Sequence, residues 1–164
     1  MDYHDLKTAV QSATVREILM LELTIKPGIG AGPIKLGTPR SVARNMLSDL
    51  GYELSSEHGN SDYFCENALQ LEHEEDVIRF IGISEHPEIN CVFGIHDVFD
   101  MDAKSLFKLF ALNEEGALEV PPGDTCFFPS QGLNLWEADK QYDRKGGYTR
   151  EVYAQIGLEE PAEN

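Results

Sequence analysis

Basic side chains are what this sequence has least of. Against 29 aspartates and glutamates stand 13 lysines and arginines, a formal charge of −16 over 164 residues. The deficit is local. From Asn45 to Ala103 fourteen carboxylates meet one basic residue, Arg79, so that stretch alone carries −13. A field of that sign repels nucleic acid and anionic membrane, and attracts cationic partners or metal ions. Part of the acidity serves solubility, because screening over about 8 Å keeps repulsion between well-spaced surface carboxylates small.

Other absences narrow the reading further. No apolar run reaches the ~18 residues that a membrane-spanning helix requires. The opening Met1-Asp2-Tyr3-His4-Asp5 has neither the basic nor the apolar region of a secretory signal. Three cysteines, Cys65, Cys91 and Cys126, cannot all pair within the chain. With no export signal they read as reduced, buried thiols of a cytoplasmic protein.

Catalytic and cofactor motifs are missing as well. The run Gly28-Ile29-Gly30-Ala31-Gly32-Pro33 places proline where a dinucleotide loop needs its third glycine, and Ile34–Gly37 separate it from the next helix. It reads as a structural turn. Ser41 and Ser130 lie in no nucleophile elbow, and the cysteines sit on apolar strands. His73 lies among Glu72, Glu74, Glu75 and Asp76, and His96 lies near Asp97, Asp100 and Asp102. Neighbours on a strand face opposite ways, however, and these acids miss the alternate positions and central glycine of a calcium loop. The expectation is therefore no catalytic residue, no metal site and no cofactor.

What is present describes a globular fold. Hydrophobic residues make up 41% of the chain and fifteen positions are aromatic, which is ordinary for one domain spanning 1–164. A short amphipathic helix is predicted over 5–17, then a strand through Leu19, Leu21, Leu23 and Ile25 that ends at Lys26-Pro27-Gly28. Thr38-Pro39 reads as N-cap and first residue of a helix whose core face holds Val42, Ala43, Met46, Leu47 and Leu50, closed by Gly51. Strands are expected at Tyr52–Ser55, Tyr63–Cys65, Leu69–Glu72, Val77–Ile83 and Cys91–Phe93, with 72–76 as a hairpin turn. A second helix should run from Asp102, its cap, to Leu112, with Leu106, Phe107, Leu109 and Phe110 inward. After a Pro121-Pro122-Gly123 turn come strands at Cys126–Phe128, Leu133–Trp136 and Tyr148–Ile156, and an acidic tail expected to fray over 159–164.

Two stretches resemble each other. Phe64-Cys65-Glu66-Asn67-Ala68-Leu69-Gln70-Leu71 aligns with Phe128-Pro129-Ser130-Gln131-Gly132-Leu133-Asn134-Leu135, and Ile81-Gly82-Ile83 aligns with Ile156-Gly157-Leu158. Each follows a helix by a similar interval. The simplest architecture is α+β: an antiparallel sheet with helices on one face, built from two similar helix-plus-meander halves.

The segment Pro27–Thr38, running into Val42 and Leu47, resembles the Gly-x-Ile-x-Leu-Gly-Met-Thr-like turn-helix opening of a group of small bacterial proteins. Here Thr38 follows Gly37 directly, where those proteins carry Met. The Phe128–Trp136 stretch is similar to them too. Some of that group look like immunity proteins encoded beside secreted toxins, so the resemblance implies a protein that binds and occludes a toxin. An acidic inhibitor could mimic the phosphates that a nuclease toxin holds on a basic surface. The expected partner is thus a cationic protein, with no nucleic acid and no membrane. The expected contact residues are Glu72, Glu74, Glu75 and Asp76, then Asp97 and Asp100, with Trp136 as an exposed aromatic anchor. A Trp136 covered by the N-terminal helix or a loop is the alternative. Two rival functions stay open: a small enzyme or ligand-binding protein with a pocket on the sheet, and a structural, self-associating adaptor.

Overall fold

A computed structural model describes residues 20–118, 125–144 and 146–162. The helix expected over 5–17, the Pro121-Pro122-Gly123 turn and the last two residues lie outside them. Strand β1 (Leu21–Lys26) alternates buried and exposed residues along its length. It pairs in parallel with β8 (Ile89–Phe93). On its other side it meets the tight hairpin of β2 (Gly30–Ala31) and β3 (Ile34–Lys35), and β9 (His96–Asp97) completes a five-stranded sheet beside β8. The glycine run serves this hairpin. A side-chain carbon on Gly32 would lie 2.2 Å from the Glu22 carbonyl oxygen, at a backbone φ of +55°.

The larger sheet has seven antiparallel strands. Their order is β10 (Cys126–Phe128), β11 (Leu133–Asp139), β12 (Val152–Glu159), β7 (Val77–Ile83), β6 (Leu69–Glu74), β5 (Ser61–Phe64) and β4 (Leu54–His58). The resemblance between the halves reappears in its hydrogen-bond register. Leu69 pairs with Ile83, Gln70 with Gly82 and Leu71 with Ile81. Their aligned counterparts pair likewise: Leu133 with Leu158, Asn134 with Gly157 and Leu135 with Ile156. The halves meet where β7 lies against β12, with Gly82 directly opposite Gly157. The fold is α+β, with two similar halves sharing one sheet.

Two helices pack on the same face of that sheet. In α1 (Arg40–Asp49) Ala43 and Leu47 are buried, at the fourth and eighth positions. In α2 (Ala103–Leu112) Leu106 and Phe110 are buried at the same two positions. Phe110 meets Phe93 and Phe128 edge-on, with ring centres 5.0 and 5.6 Å apart, and Phe107 also reaches Phe128. One apolar cluster unites the helices with the inward faces of both sheets. Among the described residues no helix is long and apolar enough to cross a membrane.

Several boundaries differ from expectation for local reasons. Thr38 does not cap α1, which begins at Arg40. Its carbonyl instead accepts from the Ile78 N–H, and the Arg40 N–H donates to the Asp76 carbonyl, so β7 satisfies the backbone there. Val42 and Leu50, expected inward, are exposed, because only a narrow stripe of α1 meets the core. By contrast, Asp102 caps α2 as expected, accepting from the Ser105 N–H at 2.8 Å. Strand β4 begins two residues later than the sequence suggested and carries a bulge. Tyr148 belongs to a loop, where the Asp143 carboxylate collects the N–H groups of Gly146, Thr149 and Arg150. Nor does the tail fray from Glu159. That residue pairs within β12, Glu160 bridges to Arg79, and the Ala162 N–H donates to Pro129.

Candidate functional site

Both helices cover one face of the large sheet, so its other face is left to solvent among the described elements. Strand register places Tyr63, Gln70, Glu72, Phe80, Asn134 and Trp136 on that outer face. Its centre is flat because Gly82 and Gly157 face each other there. A side-chain carbon on Gly157 would come within 2.6 Å of the Phe80 ring, and one on Gly82 within 2.4 Å of the Gln155 amide. Phe80 and Gln155 thus lie down across the glycines. Trp136 is 39% exposed.

At one end of this face stands the β6–β7 hairpin. Glu75 and Asp76 have φ of +52° and +62°, the two left-handed residues of a tight turn whose twist matches the strands. The turn is shorter than expected, because β6 extends through Glu74. Alternation buries His73 and exposes Glu72 and Glu74. His73 donates from Nδ1 to the Asn60 carbonyl at 2.9 Å, so the imidazole stands apart from the acids that flank it in sequence. Glu72, Glu74, Glu75 and Asp76 are all exposed, and no ion pair to them forms among the described residues. Glu72 accepts from the Gln70 amide. Arg79, the sole base of the acidic stretch, is engaged by Glu160 at 3.0 Å.

Asp62, by contrast, is compensated. Asp62 lies on the inner face, opposite Leu71, with a side chain 1% exposed. Arg40 and Arg44, one turn apart on α1, donate to both of its oxygens at 2.6 to 3.2 Å, and Glu57 joins them. Burial alone raises such a carboxyl, but the hydrogen bonds and charges of Arg44 and Arg40 outweigh it and hold Asp62 down at about 2. Neither arginine nor Asp62 stood out in the sequence. Extending the internal alignment two residues back from Phe64 and Phe128 places Asp62 on Cys126, a core position. That was the available signal.

Asp97 and Asp100 do not join the hairpin acids. Asp97 caps the single 3-10 turn Val98–Asp100 through the Phe99 N–H, and the Asp100 carbonyl accepts from Arg150. Asp97 borders a cleft beside the β5–β6 turn and the chain leaving β7. That is the far end of the β6–β7 pair from Glu75, roughly 20 Å along a six-residue strand. Trp136 and Glu72 are also roughly 20 Å apart, three strands across, yet they share a face. The structure therefore groups Glu72 and Glu74 with Trp136 and sets Asp97 and Asp100 apart.

The cysteines are free and buried. Burial, then the charges of Glu88 and Glu66, pushes the Cys65 thiol up to about 11. Cys91 is raised further, so neither offers a thiolate near neutral pH. Among the described residues no three His, Cys, Asp or Glu side chains group so as to hold a metal ion. The class defined here is an α+β protein of two meander halves, with one sheet face left open by the described elements. Compared with protein-family models, curated proteins and solved structures, the chain matches none.

Proposed function

We propose that this is a non-enzymatic, cytosolic binding protein of the immunity type, which neutralises a basic toxin domain by covering it with the outer face of the large sheet. One observation carries the reading. Glu72, Glu74, Glu75 and Asp76 stand exposed, with no ion pair among the described residues, at the edge of a flat face that also presents Trp136. An aromatic anchor and exposed acids on one face, roughly 20 Å apart, suit a partner rich in lysine and arginine. Charge of this sign would speed association and make it salt-dependent. The resemblance of Pro27–Thr38 to small bacterial proteins, some of which look like immunity proteins, points the same way.

The test is to look for a toxin domain encoded beside this gene and to co-express the two. Wild-type protein should restore growth, and the Glu74→Lys, Glu75→Lys double variant should lose that protection and flatten the salt dependence of the purified pair. Unchanged protection and salt dependence would refute the reading.

A further inference from the structure

Between the β5–β6 turn and the segment leaving β7 lies a cleft of about 940 Å³. Its lining is divided by chemistry. Met20, Ile89 and Phe99 contribute apolar wall, while Glu66 and Glu88 stand at the rim. Glu85 and Asp97 add two carboxylates and Arg144 one guanidinium, so the lining is formally −3.

The rim is held in place by backbone. Cys65, Glu66 and Asn67 all take left-handed φ values, +53°, +53° and +69°, and the Glu66 side chain is 89% exposed on that turn. His86 stands between the acids. Its Nδ1 accepts from the Glu88 N–H at 3.1 Å, which leaves Nε2 facing Glu66 at 3.8 Å.

We propose that this cleft seats a lysine or arginine side chain of the basic partner, with its aliphatic stem along the apolar wall and its cationic head at the Glu66 and Glu88 carboxylates of the rim. This rests on the binder reading above and adds a second point of contact. A long cationic side chain is itself divided into apolar stem and charged head, and matches a cleft divided the same way. A standard interface of roughly 800 Å² per partner is about 30 Å across, enough to span from this cleft to the acidic hairpin.

The probe is a tri-arginine peptide with blocked ends, too short to bridge both regions, titrated onto the full ¹⁵N-labelled chain at physiological salt. Saturable amide shifts are expected at Glu66–Ala68 and Glu85–Ile89, with none at Glu74–Val77. Two double variants change the charge equally: Glu66→Gln with Glu88→Gln, and Glu74→Gln with Glu75→Gln. Both replace exposed side chains. The cleft pair should weaken binding roughly tenfold and the hairpin pair less than about threefold. Equal weakening by both pairs, or none by the cleft pair, overturns the proposal. Toxin protection and its loss in the hairpin reversal would still stand in that event, so the two failures are distinguishable.

Discussion

Replacing Asp62 by asparagine tests the buried cluster of Asp62 with Arg40 and Arg44. Its carboxylate is buried beneath α1 and accepts hydrogen bonds from Arg40 and Arg44, whose own pKa values it raises. The folded value of about 2, against an ordinary 3.8, means that the charged form favours the folded state. That gap corresponds to about 2 kcal/mol at neutral pH. The contribution is full above pH ~5, about half of it is left at pH 3, and a few tenths of a kcal/mol at pH 2. Asp62→Asn should cost roughly 2–4 kcal/mol at pH 7, because two guanidiniums are left with the half-exposed Glu57 and, for Arg40, the Gly59 carbonyl. Urea titrations of both proteins from pH 7 to pH 2 read the difference directly, since the other carboxylates largely cancel. The stability difference should shrink by about 2 kcal/mol across that range, most steeply below pH 4. A difference that holds constant to pH 2 would refute the assignment.

Three further outcomes are expected. Gly32→Ala should destabilise by more than about 2 kcal/mol in thermal or urea unfolding, since a left-handed φ and the Glu22 carbonyl both oppose a side chain there. Asp102→Ala should cost about 1 kcal/mol by loss of the Ser105 cap, and Asp102→Ser should recover most of it. The Glu74→Lys, Glu75→Lys variant should unfold within about 0.5 kcal/mol of wild type, because both side chains are exposed, which separates its effect on binding from any effect on folding.

Local signals carried much of the architecture. Alternation of apolar residues located Val77–Ile83 and Cys126–Phe128 to the residue. The aspartate before Ala103 marked the start of α2, because a cap acts within one turn. Even the repeat was legible: Phe64–Leu71 and Phe128–Leu135 aligned by pattern, and they occupy equivalent registers. Boundaries failed where distant strands set them. Thr38 looked like a cap, but the chain entering α1 is stitched to Asp76 and Ile78, 36 to 41 residues away.

The candidate site was legible in composition and illegible in grouping. Sequence alone determined that this chain is acidic, that its middle has a single base, and that its strands are amphipathic, since charge and alternation are properties of neighbouring residues. Which acids stand alone was decided by tertiary structure. Pairing across the sheet sends Asp62 inward to Arg40 and Arg44, engages Arg79 with Glu160, and leaves Glu72–Asp76 beside a face that carries Trp136. Asp97 and Asp100 went elsewhere because they follow β8, in the other sheet. Charges interact through space over a few ångströms, and only the folded chain sets those distances.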